Sequence, residues 1–472
     1  MQIKHIHFIG ICGVAMSALA IAFQKKGYRV TGSDAGFYPP VSTMLKKNGV
    51  KFYAGWHPEK MLALSERSES KGDPNLVIVG NVASSTNPEW LAVQAKKIPY
   101  QSYPEAIAEF LVKKNSIVCV GTYGKTTTSA LLAWIFSQLN LSPSYMFGGL
   151  ANGNFPSAQL ADSDWSIVEG DEYKSARWDN EPKFTHYKPT HLLLTALSWD
   201  HLDVYPTEKS YFKIFNTLVS QLPKSGLLLA CTDTESVKNI IKESSSRVIT
   251  YGKNSDAEYQ YHSVTQNKDG LAFSIKYKDA NFYISCPLLG LYQAENITGA
   301  FALANELLAE SKKIKETIAT FPGLKRRLEK RLSGKITVID DIAHSPAKAQ
   351  SVLQNLRKIY SGKIIAVFEP NTGNRQTESL VLYKNAFDQA DTVIIPRLTK
   401  IKTSVETVTP PVDGEALAQA IKTTQPNVLY IDDDAKLVKH FIEIATDDDV
   451  IVFLGSHGFR GMIEELISKL KI

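Results

Sequence analysis

Cysteine is scarce: the 472 residues hold four, Cys12, Cys119, Cys231 and Cys286. They lie far apart and form neither a C-x-x-C pair nor a metal-ligand spacing, which argues against a disulfide framework and a zinc site. Reduced thiols in a cytoplasmic protein are the simplest account. Long hydrophobic runs are lacking too. The most apolar stretch, Phe8 to Phe23, follows Lys4 much as the core of a signal peptide would. However, Gly10 and Gly13 interrupt it, and it falls short of the ~20 residues that a membrane span requires. It also continues into a strand-like run, Tyr28-Arg29-Val30-Thr31, so a buried strand, turn and helix is expected, with no membrane insertion. Blocks of one charge are absent as well. The net charge of +5 and pI of about 8.7 read as a slightly basic solvated surface, and they also suit anionic substrates such as nucleotides. They do not amount to the basic block of a nucleic-acid binder, so no nucleic-acid partner is expected.

What is present is a soluble globular composition, 44% hydrophobic and 21% charged, over a length that implies roughly two to four domains. In the first hundred residues short apolar runs alternate with amphipathic stretches. Ile3–Ile9, Arg29–Gly32 and Leu76–Gly80 read as strands, Ala15–Lys26 as a helix and Ser65–Asn75 as a loop. Further on, Ser116–Val120, Trp165–Glu169, His191–Thr195, Gly226–Ala230 and Arg247–Tyr251 read as strands, and Thr127–Leu139 and Ala294–Glu310 as helices. Leu271–Tyr277 and Asn281–Ser285 suggest an antiparallel pair. A last series runs through Lys335–Ile339, Lys363–Phe368, Thr392–Ile395, Val428–Ile431 and Val450–Leu454. Strand-helix alternation of this kind predicts parallel βαβ units. The expected architecture is α/β with three domains in series: a Rossmann-like 1–106, a central P-loop ATPase-like parallel sheet in 107–322, and a Rossmann-like doubly wound sheet in 323–472.

The sharpest motif is the strand-loop-helix around Gly121-Thr122-Tyr123-Gly124-Lys125-Thr126. Loop amides and a helix N-terminus bind phosphate oxygens, a lysine placed there reaches the β- and γ-phosphates, and the Thr126 hydroxyl is placed to ligate magnesium. The full G-x-x-x-x-G-K-[ST] pattern is not met, because Cys119 stands where its first glycine belongs. An ordinary glycine turn with a surface lysine is the bland alternative, and the apolar strand before it and the helix after it count against that. The turn Gly10-Ile11-Cys12-Gly13 is weaker, since it lacks the middle glycine of G-x-G-x-x-G. It reads either as a phosphate or diphosphate site, with Ser33 and Asp34 ending the next strand, or as a plain tight turn. Glu169-Gly170-Asp171-Glu172 closes a strand and offers either magnesium ligands or a solvated acidic loop. Asp200-His201-Leu202-Asp203 follows another.

In order along the chain, GTYGKTTT, Glu169, D-H-L-D at Asp200–Asp203, Gly290 with Asn296, Lys325-Arg326-Arg327-Leu328-Glu329 and Asp340-Asp341-Ile342-Ala343-His344 resemble the Mur ligases of bacterial peptidoglycan metabolism. The resemblance spans essentially the whole chain. It implies an ATP- and Mg2+-dependent ligase that activates a carboxylate as an acyl phosphate, which an amine then displaces. It also implies that the three domains bind, in order, a UDP-sugar, ATP and the amine substrate.

By carry-over, Lys125, Glu169 and His201 are catalytic, and Thr126, Glu169 and His201 hold metal. Gly121 to Thr127, Asn296, Arg327 and Asp341 bind ATP, while Gly10, Cys12, Gly13, Ser33 and Asp34 bind the UDP-sugar. The segments GICGVAM, GSDAGFYPPVSTML, GNVASSTNP, GGLANGNF and EGDEY point to the subgroup that uses UDP-N-acetylmuramate itself. Within it the expected amine is the tripeptide L-alanyl-γ-D-glutamyl-meso-diaminopimelate of wall recycling, with L-alanine of wall biosynthesis the alternative. Phe215 stands where members adding later residues carry a carbamylated lysine, as this subgroup implies. Departures from the family pattern are Tyr123 for histidine, Tyr292-Gln293 for His-Asn, Ser345 for a second histidine and Lys174 for aspartate. Two other classes fit parts of the sequence: a nucleotide-dependent oxidoreductase, which leaves Lys125 unexplained, and a nucleotide-binding protein without catalysis.

Overall fold

The computed structural model of the protein describes residues 4–66, 74–201, 204–399 and 411–471; Leu202 and Asp203 of the D-H-L-D motif lie outside them. The chain forms two compact units. The first comprises Met1–Ser263, Phe273–Cys286 and Tyr292–Pro322, and the second Val264–Ala272, Pro287–Leu291 and Gly323–Ile472.

In the first unit the near-continuous apolar runs become strands buried on both faces, as parallel strands covered by helices must be. One sheet has five parallel strands in the order Lys51–Ala54, Arg29–Asp34, His5–Ile9, Leu76–Val79, Tyr100–Ser102. Ile6 and Phe8 pack on one face with Leu19 and Phe23 of the helix Val14–Lys25, while Ile9, Val77 and Val79 pack on the other with Trp90 and Val93. A second sheet is built around Asn115–Val120, flanked in parallel by His191–Leu194 and Trp165–Glu169. It continues in parallel through Leu227–Cys231 and Arg247–Gly252 on one side and Ser144–Met146 on the other. The helices Lys125–Gln138 and Gln293–Leu308 are buried along most of their length.

The second unit carries a six-stranded sheet in the order Glu329–Leu332, Thr337–Asp341, Val450–Gly455, Ile364–Glu369, Thr392–Pro396, Val428–Ile431, antiparallel only at its first pair. Alternate residues of each strand face opposite cores: Ala366 and Phe368 join one, Ile365 and Val367 the other. This is the doubly wound arrangement that the apolar runs predict.

The expected elements differ from the observed ones mainly at their ends. The helix expected from Thr127 begins at Lys125, so Lys125 and Thr126 occupy its first turn. The strand expected to end at Ile339 runs from Thr337 to Asp341. Leu271–Tyr277 and Asn281–Ser285 appear as the neighbouring strands Gly270–Tyr277 and Ala280–Cys286.

Candidate active site

The loop Gly121–Gly124 leaves the C-terminal end of a central strand, the edge where parallel sheets bind ligands. Its two glycines are required. Gly121 and Gly124 have φ of +136° and +84°. A Cβ on Gly121 would lie 2.1 Å from Thr195 Oγ1, and one on Gly124 2.1 Å from Asn296 Oδ1. The same neighbours clasp the loop. The Thr195 hydroxyl lies 2.6 Å from the Tyr123 carbonyl, and the Thr122 hydroxyl donates to the Ser198 carbonyl at 2.7 Å. Because Gly124 caps the following helix without a side chain, the first-turn N–H groups of Lys125, Thr126 and Thr127 keep the electropositive character that attracts phosphate.

Lys125 turns back over this loop. Its Nζ donates to the Gly121 carbonyl at 2.5 Å and to Glu172 Oε1 at 3.0 Å. Glu172 is only 1% exposed, and the same Oε1 lies 3.0 Å from His201 Nε2. Tyr205 donates its hydroxyl to the Glu172 carbonyl, and the Tyr173 ring meets the His201 ring edge-on at 4.4 Å. The hydrogen bond to Glu172 is the main cause that holds the His201 pKa above its ordinary value, against the opposing effect of burial. His201 sits at φ +58°, a conformation that costs a non-glycine residue energy and is concentrated at functional sites. Beside this trio, Glu169 accepts the Thr126 hydroxyl at 2.8 Å and the Gly148 N–H at 2.6 Å. Burial pushes its carboxyl up, while the Gly148 N–H, Lys125 and Thr126 pull it down.

Lys125, Thr126, Glu169 and His201, separate in sequence, are thus brought to one place. Glu172, to which the sequence reading gives no role beyond membership of an acidic cluster, joins Lys125 to His201. Its Oε2 is buried without a hydrogen-bond donor of good geometry, although Lys125 Nζ is 2.9 Å away. The hydroxyl, carboxylate and imidazole donors here are of the chemical kind that a hard divalent cation such as Mg2+ takes.

Asn296 is buried against Gly124, and its amide donates to Gln293 Oε1 at 3.0 Å. Gln293, one of the departures from the family pattern, therefore orients Asn296. Tyr123 is exposed at the loop. Phe215 is fully buried against Tyr211 and Phe184, so this position is packed as apolar core.

At the first sheet, the Gly10 and Ile11 amides donate to the Ser33 carbonyl at 2.9 and 3.0 Å. Both carboxylate oxygens of Asp34 are used locally, accepting the Cys12 and Ala35 N–H groups at 2.7 Å each. Asp34 therefore fixes the Gly10–Gly13 turn through its own carboxylate. Ser33 is buried with its hydroxyl on Glu89, so its side chain supports the turn from beneath. Gly13, which caps the helix Val14–Lys25, offers no side-chain bond to its first amides.

In the second unit, Asp341 is buried and accepts the N–H groups of Leu328 at 2.7 Å and Ala343 at 2.8 Å. It thereby fastens the Arg326-Arg327-Leu328 turn, in which Arg327 is exposed. Arg326 pairs with Asp340 at 3.2 Å and donates to carbonyls of the segment Gly455–His457.

Three family signatures cover the chain: the Mur ligase family catalytic domain at residues 5–115, the Mur ligase middle domain at 120–304, and the Mur ligase glutamate ligase domain at 326–457. Over 99% of this chain and 100% of its own length, the UDP-N-acetylmuramate–L-alanyl-γ-D-glutamyl-meso-2,6-diaminoheptandioate ligase of Haemophilus influenzae is 30% identical.

The chain belongs to the Mur ligase family.

Another whole-length relative is the UDP-N-acetylmuramate–L-alanine ligase of Rhodospirillum centenum. It is 28% identical over 100% of this chain and 95% of its own. The crystal structure of the UDP-N-acetylmuramate–alanine ligase of Thermotoga maritima superposes with a TM-score of 0.79 at 20% identity. It covers 100% of this chain and 99% of that one, and shares the fold. As a Mur ligase the protein is a three-domain α/β enzyme that forms amide bonds with ATP. This sets aside both the oxidoreductase and the nucleotide-binding protein without catalysis. No helix among the described residues is long and apolar enough to cross a membrane.

Proposed function

We propose that the protein joins the lactyl carboxylate of UDP-N-acetylmuramate to the amine of L-alanyl-γ-D-glutamyl-meso-diaminopimelate, as in peptidoglycan recycling. Regions 1–106, 107–322 and 323–472 serve the UDP-sugar, ATP and the amine in turn. The observation that carries the chemistry is the Lys125–Glu172–His201 trio beside Thr126 and Glu169, at a helix start with no side-chain cap. The turn Gly10–Gly13, held by Asp34 before another such helix, supports a diphosphate in the first region. Asn296, Arg327 and Asp341 are assigned to the ATP side by the family resemblance.

In the reaction a lactyl carboxylate oxygen bonds to the γ-phosphorus of ATP as the bond to the β-phosphate oxygen breaks, giving an acyl phosphate and ADP. The amine nitrogen then attacks the acyl carbon and phosphate leaves, with the amine proton lost to solvent. Charge that spreads over the phosphoryl oxygens is met by the Lys125 ammonium and the helix amides, which need no reorganisation as it forms. Bound through Thr126, Glu169 and His201, Mg2+ would neutralise phosphate charge. Glu172 keeps Lys125 aimed at the loop.

The tripeptide reading is supported by the 30% identity to a relative named for that acceptor. L-Alanine is the second reading, supported by whole-length relatives of 27–28% identity named for that amine. ADP release with UDP-N-acetylmuramate plus either the tripeptide or L-alanine separates them. We expect release with the tripeptide. Release with L-alanine alone would overturn the acceptor, and release with neither would overturn the UDP-N-acetylmuramate reading.

A further inference from the structure

The segment after Glu172 is a short antiparallel hairpin, Lys174–Ala176 with Asp179–Pro182, whose turn is Arg177-Trp178. Its base is fastened beside the catalytic centre. Lys183 pairs with Asp171, and the Lys183 amide donates to the Tyr173 carbonyl at 3.0 Å. Its tip is fastened to the first sheet. The Trp178 ring lies flat on Trp90, centroids 5.0 Å apart and planes within 8°, and Tyr100 meets both rings edge-on at 4.7 and 5.5 Å. The Arg177 guanidinium stands 5.6 Å over the Trp90 ring, and Asn81 Nδ2 reaches the Lys174 carbonyl at 3.4 Å.

Trp90 is well placed to carry position onward. It lies on the helix Pro88–Ala95, next to Glu89. Glu89 is fully buried and accepts the Ser33 hydroxyl, the Tyr53 hydroxyl at 2.6 Å and the His57 N–H at 2.8 Å. Ser33 in turn holds the Gly10–Gly13 turn through its carbonyl. A continuous set of packed and hydrogen-bonded groups therefore runs from Glu172 through the hairpin to the turn assigned to the UDP-sugar diphosphate.

We propose that Trp178, through its stack on Trp90, is a positioning residue that sets the separation between the UDP-sugar grip of the first sheet and the Lys125–Glu172–His201 centre. This rests on the UDP-sugar reading given above. A carboxylate delivered from one sheet to a phosphate held by the other must arrive at about 3–3.5 Å, and a misplacement of ~1 Å costs on the order of 100-fold in rate. No hydrogen bond within either grip uses the Trp178 side chain, so the deficit is expected in turnover.

The test compares Trp178→Ala and Trp178→Phe with the wild type in steady-state ADP release, with direct binding of UDP-N-acetylmuramate and of ATP measured calorimetrically. For Trp178→Ala we expect kcat to fall about 10- to 100-fold, given that sensitivity to misplacement, with both dissociation constants within about threefold. Trp178→Phe, which keeps an aromatic face on Trp90, is expected to regain most of the rate. An unchanged kcat in Trp178→Ala would overturn the proposal. So would loss of ATP affinity in step with rate, or failure of phenylalanine to rescue, because these mark general damage. Absence of turnover or UDP-N-acetylmuramate binding in the wild type itself would instead strike the functional reading, so the two failures are distinguishable.

Discussion

Replacing Glu172 by glutamine keeps its shape and removes the one negative charge that Lys125 and His201 share. The pairs are well shielded: the side chains are 14% exposed for Lys125, 24% for His201 and 1% for Glu172. Breaking a buried ion pair by removing one partner costs about 3–5 kcal/mol. The low end applies here, since Lys125 keeps the Gly121 carbonyl and His201 is free to give up its proton. We therefore predict that Glu172→Gln lowers the stability of the first unit by about 3 kcal/mol, and that ATP, whose phosphates supply the missing anion, returns much of it.

The sign of the pH dependence follows from His201. Its folded pKa is raised, chiefly by Glu172, so its stabilising share is fully present below the ordinary value of about 6.5. That share is lost as pH rises through the raised value. The deficit of the variant should accordingly be largest in mild acid and shrink in alkali to the part owed to Lys125. Turnover should drop about 100-fold, or ~2.7 kcal/mol of transition-state stabilisation, through misdirection of the lysine. The assays are thermal unfolding with and without ATP across pH, NMR titration of the His201 imidazole, and ADP release. A variant with turnover within threefold and an unmoved His201 midpoint would refute the assignment of Glu172 as the link between them.

Lys125→Ala should abolish detectable ADP release while UDP-N-acetylmuramate affinity, measured calorimetrically, stays within about threefold, because the turn proposed to grip it is built on the other sheet. Glu295 is half-buried near Cys231 and Asp233, and desolvation raises its carboxyl to about 7. A raised folded value favours the folded state below the unfolded pKa of about 4.5 and loses that advantage as pH rises through about 7. Glu295→Gln should thus raise the unfolding midpoint at pH 8, by at most about 3 kcal/mol in stability, and have little effect at pH 4. Phe215→Ala should cost about 3–5 kcal/mol in thermal or denaturant unfolding, as emptying a fully buried aromatic site does.

The sheets were legible because Ile117–Val120, Leu192–Leu194 and Ile364–Phe368 are apolar runs too short for a buried helix, which suits strands buried on both faces. The phosphate loop was legible because its glycines and lysine must be contiguous to work. The hairpin at Lys174–Pro182 was not. Its residues are mostly polar with no clean alternation, and what holds it is a tryptophan stack across 88 positions of chain. Glu172 escaped for a related reason: its partners Lys125 and His201 stand 47 and 29 residues away, and no spacing rule encodes a three-body contact between different strand ends.

The acids at strand ends show where pattern reading stops. Asp34, Glu169 and Asp341 each close a parallel strand, and to the sequence they are alike. Asp34 and Asp341 commit both oxygens to backbone N–H groups of an adjoining turn, a use that rigidifies the edge. Glu169 gives one oxygen to the Gly148 N–H and the other to the Thr126 hydroxyl, a side-chain group that can turn to a ligand. A carboxylate held on one side by a rotatable hydroxyl is freer to take a cation than one pinned by two backbone amides. An acid closing a parallel strand thus braces the scaffold through both oxygens in two places and keeps one oxygen on a side-chain hydroxyl in the third, the difference being whether a second backbone amide comes within reach.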